Sequence, residues 1–170
     1  MTKLDEIIET FQFVEPPMRL ELLLDYANNL PPLPESLKAK RDAGLGRVHE
    51  CQSPVFVFPE VENDAVALHA WAPNEAPTAR AFVSLLIDAL DGAAPSDVAA
   101  VPDDLLHQLG IGKQLGMTRQ QGLAGVQGDA RLDEVQEFGG SFPFVRAHLP
   151  FLEQSACPFD MHLRMMSKLE

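Results

Sequence analysis

Two short apolar runs, set apart by a turn, constrain the fold of this chain more than any other feature. Val55-Phe56-Val57-Phe58 is β-branched and aromatic and lies between Pro54 and Pro59. That composition predicts a short strand buried on both faces and closed at each end by proline. Glu62-Asn63-Asp64 carries turn chemistry. Ala65 to Trp71 then alternates, with Val66, Leu68 and Ala70 on one face, as a half-buried strand does. The two strands form a hairpin, and Arg47 to His49 is placed to add another edge.

Helical patterns surround the hairpin. Leu4, Ile7, Ile8 and Phe11 recur at helical spacing behind a Thr2–Asp5 capping box. Pro16 and Pro17 break that helix and open a second from Met18 to Ala27. A proline-stiffened loop, Asn28 to Pro34, follows it, and Leu37 to Gly46 reads as polar and flexible. After the hairpin, Asn74 is the expected cap of a helix with Ala79, Phe82, Val83, Leu86 and Leu90 in one stripe, stopped by Gly92. Shorter helical pieces are expected at 96–100 and 103–109. Thr118 to Gln121 offers a second capping box, for a helix weakened by Gly122, Gly125 and Gly128 that extends to Phe138. This order predicts an α+β domain, a small antiparallel sheet of about three strands packed against helices.

Gly139-Gly140 marks a break. Residues 1–138 are read as the domain and 139–170 as a C-terminal extension, which carries Phe142, Phe144, Phe151 and Phe159. A segment that apolar is expected to pack on the domain, on a second copy in a homodimer, or on a partner.

The chain has 170 residues and a formal net charge of -12. That charge repels phosphate backbones and anionic lipid, and Lys38, Lys40 and Arg41, the densest positive charge, form no basic patch. Nucleic-acid and membrane binding are therefore not expected. No apolar stretch approaches spanning length, and the acidic, amphipathic start lacks the pattern of a secretory signal. The expected compartment is the cytoplasm, where thiols stay reduced.

Only two cysteines occur. Cys51 stands where a loop enters the first strand, among the polar residues Glu50, Gln52 and Ser53, on a rigid apolar anchor. A thiol so placed suits sulfur transfer, which needs no base–acid pair, metal or phosphate cradle when a partner supplies the chemistry. Glu50 raises the pKa of a neighbouring thiol, while Arg47 and His49 oppose it, and sequence leaves that balance open. Cys157, with His148 and His162, is too sparsely spaced for a metal site. A Cys51–Cys157 disulfide would require the extension to fold back within bridging distance. His49 and His107 read as structural or solvated. Arg80 and Glu75 read as an ordinary exposed pair.

Over roughly residues 5 to 130 the chain resembles the SufE family of sulfur acceptors in iron–sulfur cluster assembly. The matching segments, in order, are Tyr26-Ala27-Asn28-Asn29-Leu30-Pro31-Pro32-Leu33-Pro34, Cys51-Gln52-Ser53 with Val55 and Phe56 behind it, Glu75 to Phe82, and Leu115-Gly116-Met117-Thr118-Arg119-Gln120-Gln121-Gly122-Leu123. Glu50 stands where the family often has glycine. The resemblance implies a fold like that of the IscU/NifU scaffolds. It implies that Cys51 takes persulfide sulfur from a cysteine desulfurase of the SufS or CsdA type, stimulates that enzyme, and passes sulfur to a SufB-type scaffold. Arg119 would lie at the docking surface and position the thiol. Pyridoxal phosphate would belong to the partner, with no cofactor in this chain. Two rival readings remain. One is a thiol-redox enzyme, which needs a low thiol pKa and a resolving thiol. The other is an adaptor that binds a desulfurase while Cys51 is only structural.

Overall fold

The computed structural model describes residues 1–131. The expected α+β architecture is present, and the helices gather around one hairpin. Helix α1 (Lys3–Phe13) begins with the predicted capping box: the Thr2 hydroxyl accepts from the Asp5 N–H at 3.2 Å, and the Asp5 carboxylate accepts from the Thr2 N–H at 2.7 Å. Leu4, Ile7 and Phe11 turn inward. A 3₁₀ turn at Pro16–Met18 leads into α2 (Arg19–Asp25), and another at Tyr26–Asn29 carries the chain into the proline loop.

The stretch expected to be polar and flexible contains a helix, α3 (Glu35–Asp42). Its single buried residue, Leu37, joins Leu33, Phe56 and Phe58 in a small cluster against Trp71. Arg41 lies over the Trp71 ring, 5.0 Å from its centroid. One apolar anchor, a cation–π contact and an exposed Lys40–Glu60 pair to β1 at 3.3 Å hold a helix whose remaining faces are solvated.

Strand β1 (Phe56–Glu62) pairs antiparallel with β2 (Ala65–Trp71), from Phe56 opposite Trp71 to Glu62 opposite Ala65. The turn is made by Asn63 and Asp64, with φ of 51° and 62°. Positive φ at both central residues suits a two-residue hairpin, and Asn and Asp tolerate it best after glycine. Pro59 does not close β1 as expected; it sits inside the strand opposite Leu68. The Leu68 N–H points away from β1, toward the Asp91 carboxylate at 3.0 Å. Pro59 therefore occupies a position whose missing donor would face the outer edge, where the ladder loses nothing.

That outer edge carries the third element, shorter than a strand. Arg47 bridges to Phe56, the Val57 N–H donates to the Gly46 carbonyl at 2.8 Å, and the Val48 N–H donates to the Val55 carbonyl at 2.9 Å. On the far side, β2 is bonded by the segment after α4 (Pro77–Leu90). The Val66 N–H reaches the Ala93 carbonyl and the Gly92 N–H reaches the Val66 carbonyl.

Helix α4 is the centre of the core. Ala81, Phe82, Val83, Ser84, Leu85 and Leu86 are all buried, more of its girth than one stripe. It packs on α1, α2, β2 and the last described helix, α7 (Met117–Ala130). Its N-cap is Ala76, not Asn74, because Pro77 takes the first helical position with its φ already set. Between them lie α5 (Pro95–Ala99), α6 (Leu105–Gln108) and a 3₁₀ turn at Gly112–Gln114. Helix α7 is capped by Gly116, so Thr118 falls inside the first turn, and the helix ends at Ala130 with Arg131 extended, short of Phe138. Arg131 pairs with Asp103 and the Val101 carbonyl, which draws the chain out of helical geometry.

Candidate functional site: Cys51 on the glycine face of the last helix

The chain leaves the Arg47 bridge, loops through residues 49–54 and returns at Val55. The Val48–Val55 and Gly46–Val57 bonds clamp the base of this loop, and the Cys51 N–H closes a turn onto the Val48 carbonyl at 3.4 Å. Cys51 is thus at the loop–strand junction, but its side chain faces inward and is only 7% exposed. The thiol donates to the Gly122 carbonyl of α7, with Sγ 3.2 Å from the oxygen.

The approach depends on two glycines. A Cβ on Gly122 would lie 3.1 Å from Cys51 Sγ and 3.5 Å from Cys51 Cα. A Cβ on Gly125 would lie 2.8 Å from Glu50 Cβ and 2.9 Å from Glu50 Oε2. Two successive loop residues therefore rest on two successive turns of α7. Gly122, Gly125 and Asp129 follow i, i+3, i+7 spacing, so they form one face of the helix. The glycines that seemed only to weaken α7 admit the loop to its backbone. The signal was present in the sequence as a three-residue glycine spacing, but nothing there linked it to Cys51.

Electrostatics at the thiol resolve the balance left open by sequence. Burial first, then the Glu50 carboxylate, then Asp129, push the Cys51 thiol up to about 11. Arg47 and His49 are both exposed and do not reverse this. The resting group is a protonated thiol that donates a hydrogen bond. At pH 7.5 roughly one in three thousand would be ionised.

Arg119 lies in the first turn of α7, three residues before Gly122, and is exposed. Its side chain forms no hydrogen bond or ion pair with another described residue. Met117, beside it, is 73% exposed. Arg80 is not the exposed partner of Glu75: it is half-buried, and it donates to the Ala27 carbonyl at 2.9 Å and the Ala72 carbonyl at 3.0 Å. It ties the Tyr26–Asn29 turn and the residue after β2 to α4. His49 and His107 are exposed, as expected, and His107 stands 4.0 Å from Asp104. Cys157, His148 and His162 lie outside the described residues, as does any Cys51–Cys157 bridge.

Among the described residues no group of three or more His, Cys, Asp or Glu could hold a metal ion. None of their helices is long and apolar enough to cross a membrane. An open groove lined by Tyr26, Asn29, Pro31, Ser84, Ile87 and Asp88 shares no residue with the Cys51 loop or α7.

Residues 5–132 match the family model described as "SufE: Fe-S metabolism associated domain". An uncharacterised SufE-like protein of Mycobacterium tuberculosis is 38% identical over 122 residues, covering 71% of this chain and 83% of that one. The cysteine desulfuration protein SufE of Plasmodium vivax is 27% identical over 124 residues, covering 71% of this chain and 48% of that protein. The solution structure of a hypothetical protein from Thermus thermophilus superposes with a TM-score of 0.67 at 34% identity, over 77% of this chain and 93% of that one.

Proposed function

Because the chain belongs to the SufE family, we propose that Cys51 is a persulfide carrier fed by a cysteine desulfurase. The observation that carries this reading is the inward thiol on a loop clamped at its base. The loop lies outside the paired residues of the hairpin, so swinging it out breaks no bond of the β1–β2 ladder. The buried, protonated sulfur is inert at rest and becomes a nucleophile when docking lifts the loop and restores solvent or a cation to it.

The transfer balances without an oxidant. The Cys51 sulfur attacks the outer sulfur of a persulfide on the partner's cysteine. A new S–S bond forms on Cys51 while the partner's S–S bond breaks, and the electron pair leaves with the partner's thiolate. The proton lost from Cys51 ends on that thiolate, directly or through water. Emptying the partner's cysteine frees it for another turnover, which accounts for stimulation of the desulfurase. The pyridoxal phosphate belongs to that partner, of SufS or CsdA type, and the sulfur goes on to a SufB-type scaffold. In this reading Arg119, exposed and one turn from Gly122 on the same helix, meets the partner or the emerging sulfur. A reducing compartment such as the cytoplasm suits the chemistry. Residues 1–138 form the carrier domain in this reading, with 139–170 as an extension.

A pKa near 11 speaks against the thiol-redox alternative, which needs a thiolate at neutral pH. Burial of Cys51 favours the adaptor reading enough to require a test. Intact-mass spectrometry after incubation with a cysteine desulfurase and cysteine should reveal a reductant-sensitive sulfur adduct on the wild type and none on Cys51→Ser. If Cys51→Ser still stimulates the desulfurase fully, the chain is an adaptor and the carrier role is wrong.

A further inference from the structure

We propose that Glu50 is a positioning residue for Cys51: seated on Gly125, it keeps the neighbouring sulfur protonated and turned inward until the loop leaves α7. The inference rests on the reading that Cys51 is the reacting group, and it concerns how that group is held.

The geometry carries it. Glu50 and Cys51 are adjacent, and each lies against a glycine of the same helix face, one turn apart. Glu50 Cβ, Cδ and Oε2 crowd the space where a Gly125 side chain would begin, at 2.8, 3.1 and 2.9 Å. The carboxylate is therefore packed along the helix and does not extend freely into solvent, although the residue as a whole stays exposed. Asp129 follows one turn further on this face. Both carboxylates thus flank the sulfur toward the C-terminal end of α7, where the helix dipole also presents negative potential. Among the described residues, the charged groups that act on the thiol are Glu50 from its own loop and Asp129 from α7, and both oppose a thiolate. Arg119 lies toward the opposite and positive end of the helix.

A sulfur surrounded this way gains by keeping its proton and donating it to the Gly122 carbonyl. Deprotonation in place would set a thiolate against a carbonyl oxygen and two carboxylates. The loop and the ionisation state are therefore coupled: the sulfur can become a nucleophile only by moving away from Glu50's seat, or by losing Glu50's charge.

The test uses the full chain with Cys157→Ser as background and ¹³Cβ-labelled cysteine, so that Cys51 is the one labelled signal. Its Cβ resonance is titrated by NMR, and alkylation by iodoacetamide is timed at pH 7.5. Glu50→Gln preserves volume and removes charge. It should lower the titration midpoint by roughly half to one pH unit and speed alkylation about three- to tenfold. Glu50→Asp should return both readings toward the parent. Asp129→Asn should shift the midpoint in the same direction by less, and it serves as the second variant if Glu50→Gln fails to fold. A midpoint unmoved in Glu50→Gln, or in Asp129→Asn where that variant has to stand in, would overturn the proposal and leave Glu50 as packing. Neither measurement involves a desulfurase. A shifted midpoint with no sulfur adduct would sink the carrier reading while leaving Glu50's role intact.

Discussion

Helices α4 and α7 each span fourteen residues, yet they attach to the molecule in opposite ways. Helix α4 is held by bulk. Phe82, Leu85 and Leu86 are essentially inaccessible, and Arg80 ties its first turns to two carbonyls outside the helix. Helix α7 meets the Cys51 loop through what it lacks, two missing side chains that let a loop lie on its backbone. Interlocked large side chains resist displacement, because separating them opens cavities. A glycine face offers little apolar area, so a loop resting on it is released at low cost. Both helices bury apolar side chains in the core, but only α7 adds a bare backbone face on which a loop can lie.

The comparison can be tested by substitutions of decreasing effect. Phe82→Ala, in the bulk-packed helix, should cost about 3–5 kcal/mol of unfolding free energy in chemical denaturation. An effect near 1 kcal/mol would mean that α4 is not the keystone. The next effect depends on pH. Cys51 titrates higher folded than unfolded, so its contribution is full below about pH 9 and is lost as pH rises toward about 11. Stability should therefore fall by about 3 kcal/mol across that window. Tyr26, also pushed up by burial and by Asp88, adds to the fall in the same direction. Cys51→Ala should remove only the first part, and the difference between the two pH–stability curves isolates it.

Arg80→Ala should cost about 2 kcal/mol, since two part-buried carbonyls lose a charged donor. A change within a few tenths would restore the exposed-pair interpretation of Arg80. Gly125→Ala sharpens the contrast most. A helical alanine gains about 1 kcal/mol over glycine, but here it collides with Glu50. Net stability should change by no more than about 1 kcal/mol, while Cys51 alkylation rises about tenfold or more as the loop is pushed off. Unchanged alkylation would show that the loop is not seated on α7 in solution. Arg119→Ala should leave stability within about 0.5 kcal/mol, because the side chain has no partner among the described residues. A slower sulfur transfer from the desulfurase would then assign Arg119 to docking.

The elements legible in the sequence were those whose cause is local. The Thr2–Asp5 cap, the alternation of β2 and the Asn63-Asp64 turn each depend on residues a few positions apart. Helix α3 was missed because Leu37, Phe56 and Trp71 are brought together only by the fold. Pro59 misled because a proline ends a strand only where its missing donor was needed, and that depends on which edge it faces. At the site, Cys51 stood out from its setting. Its inward orientation and the role of Gly122 and Gly125 were hidden, since they link positions about 70 residues apart.

The hairpin's edges have a consequence for the chain among crowded copies of itself. A two-stranded sheet ordinarily offers two open templates for pairing with another molecule. Here β1 spends its first outward groups on Gly46 and Val48 and then presents Pro59, which has no donor. The outer side of β2 is occupied by Gly92, Ala93 and the Asp91 carboxylate. An incoming strand meets occupied positions at the start of each strand and a missing donor at Pro59, so the hairpin offers less template for fibril-like stacking than two bare edges would, without adding a third full strand.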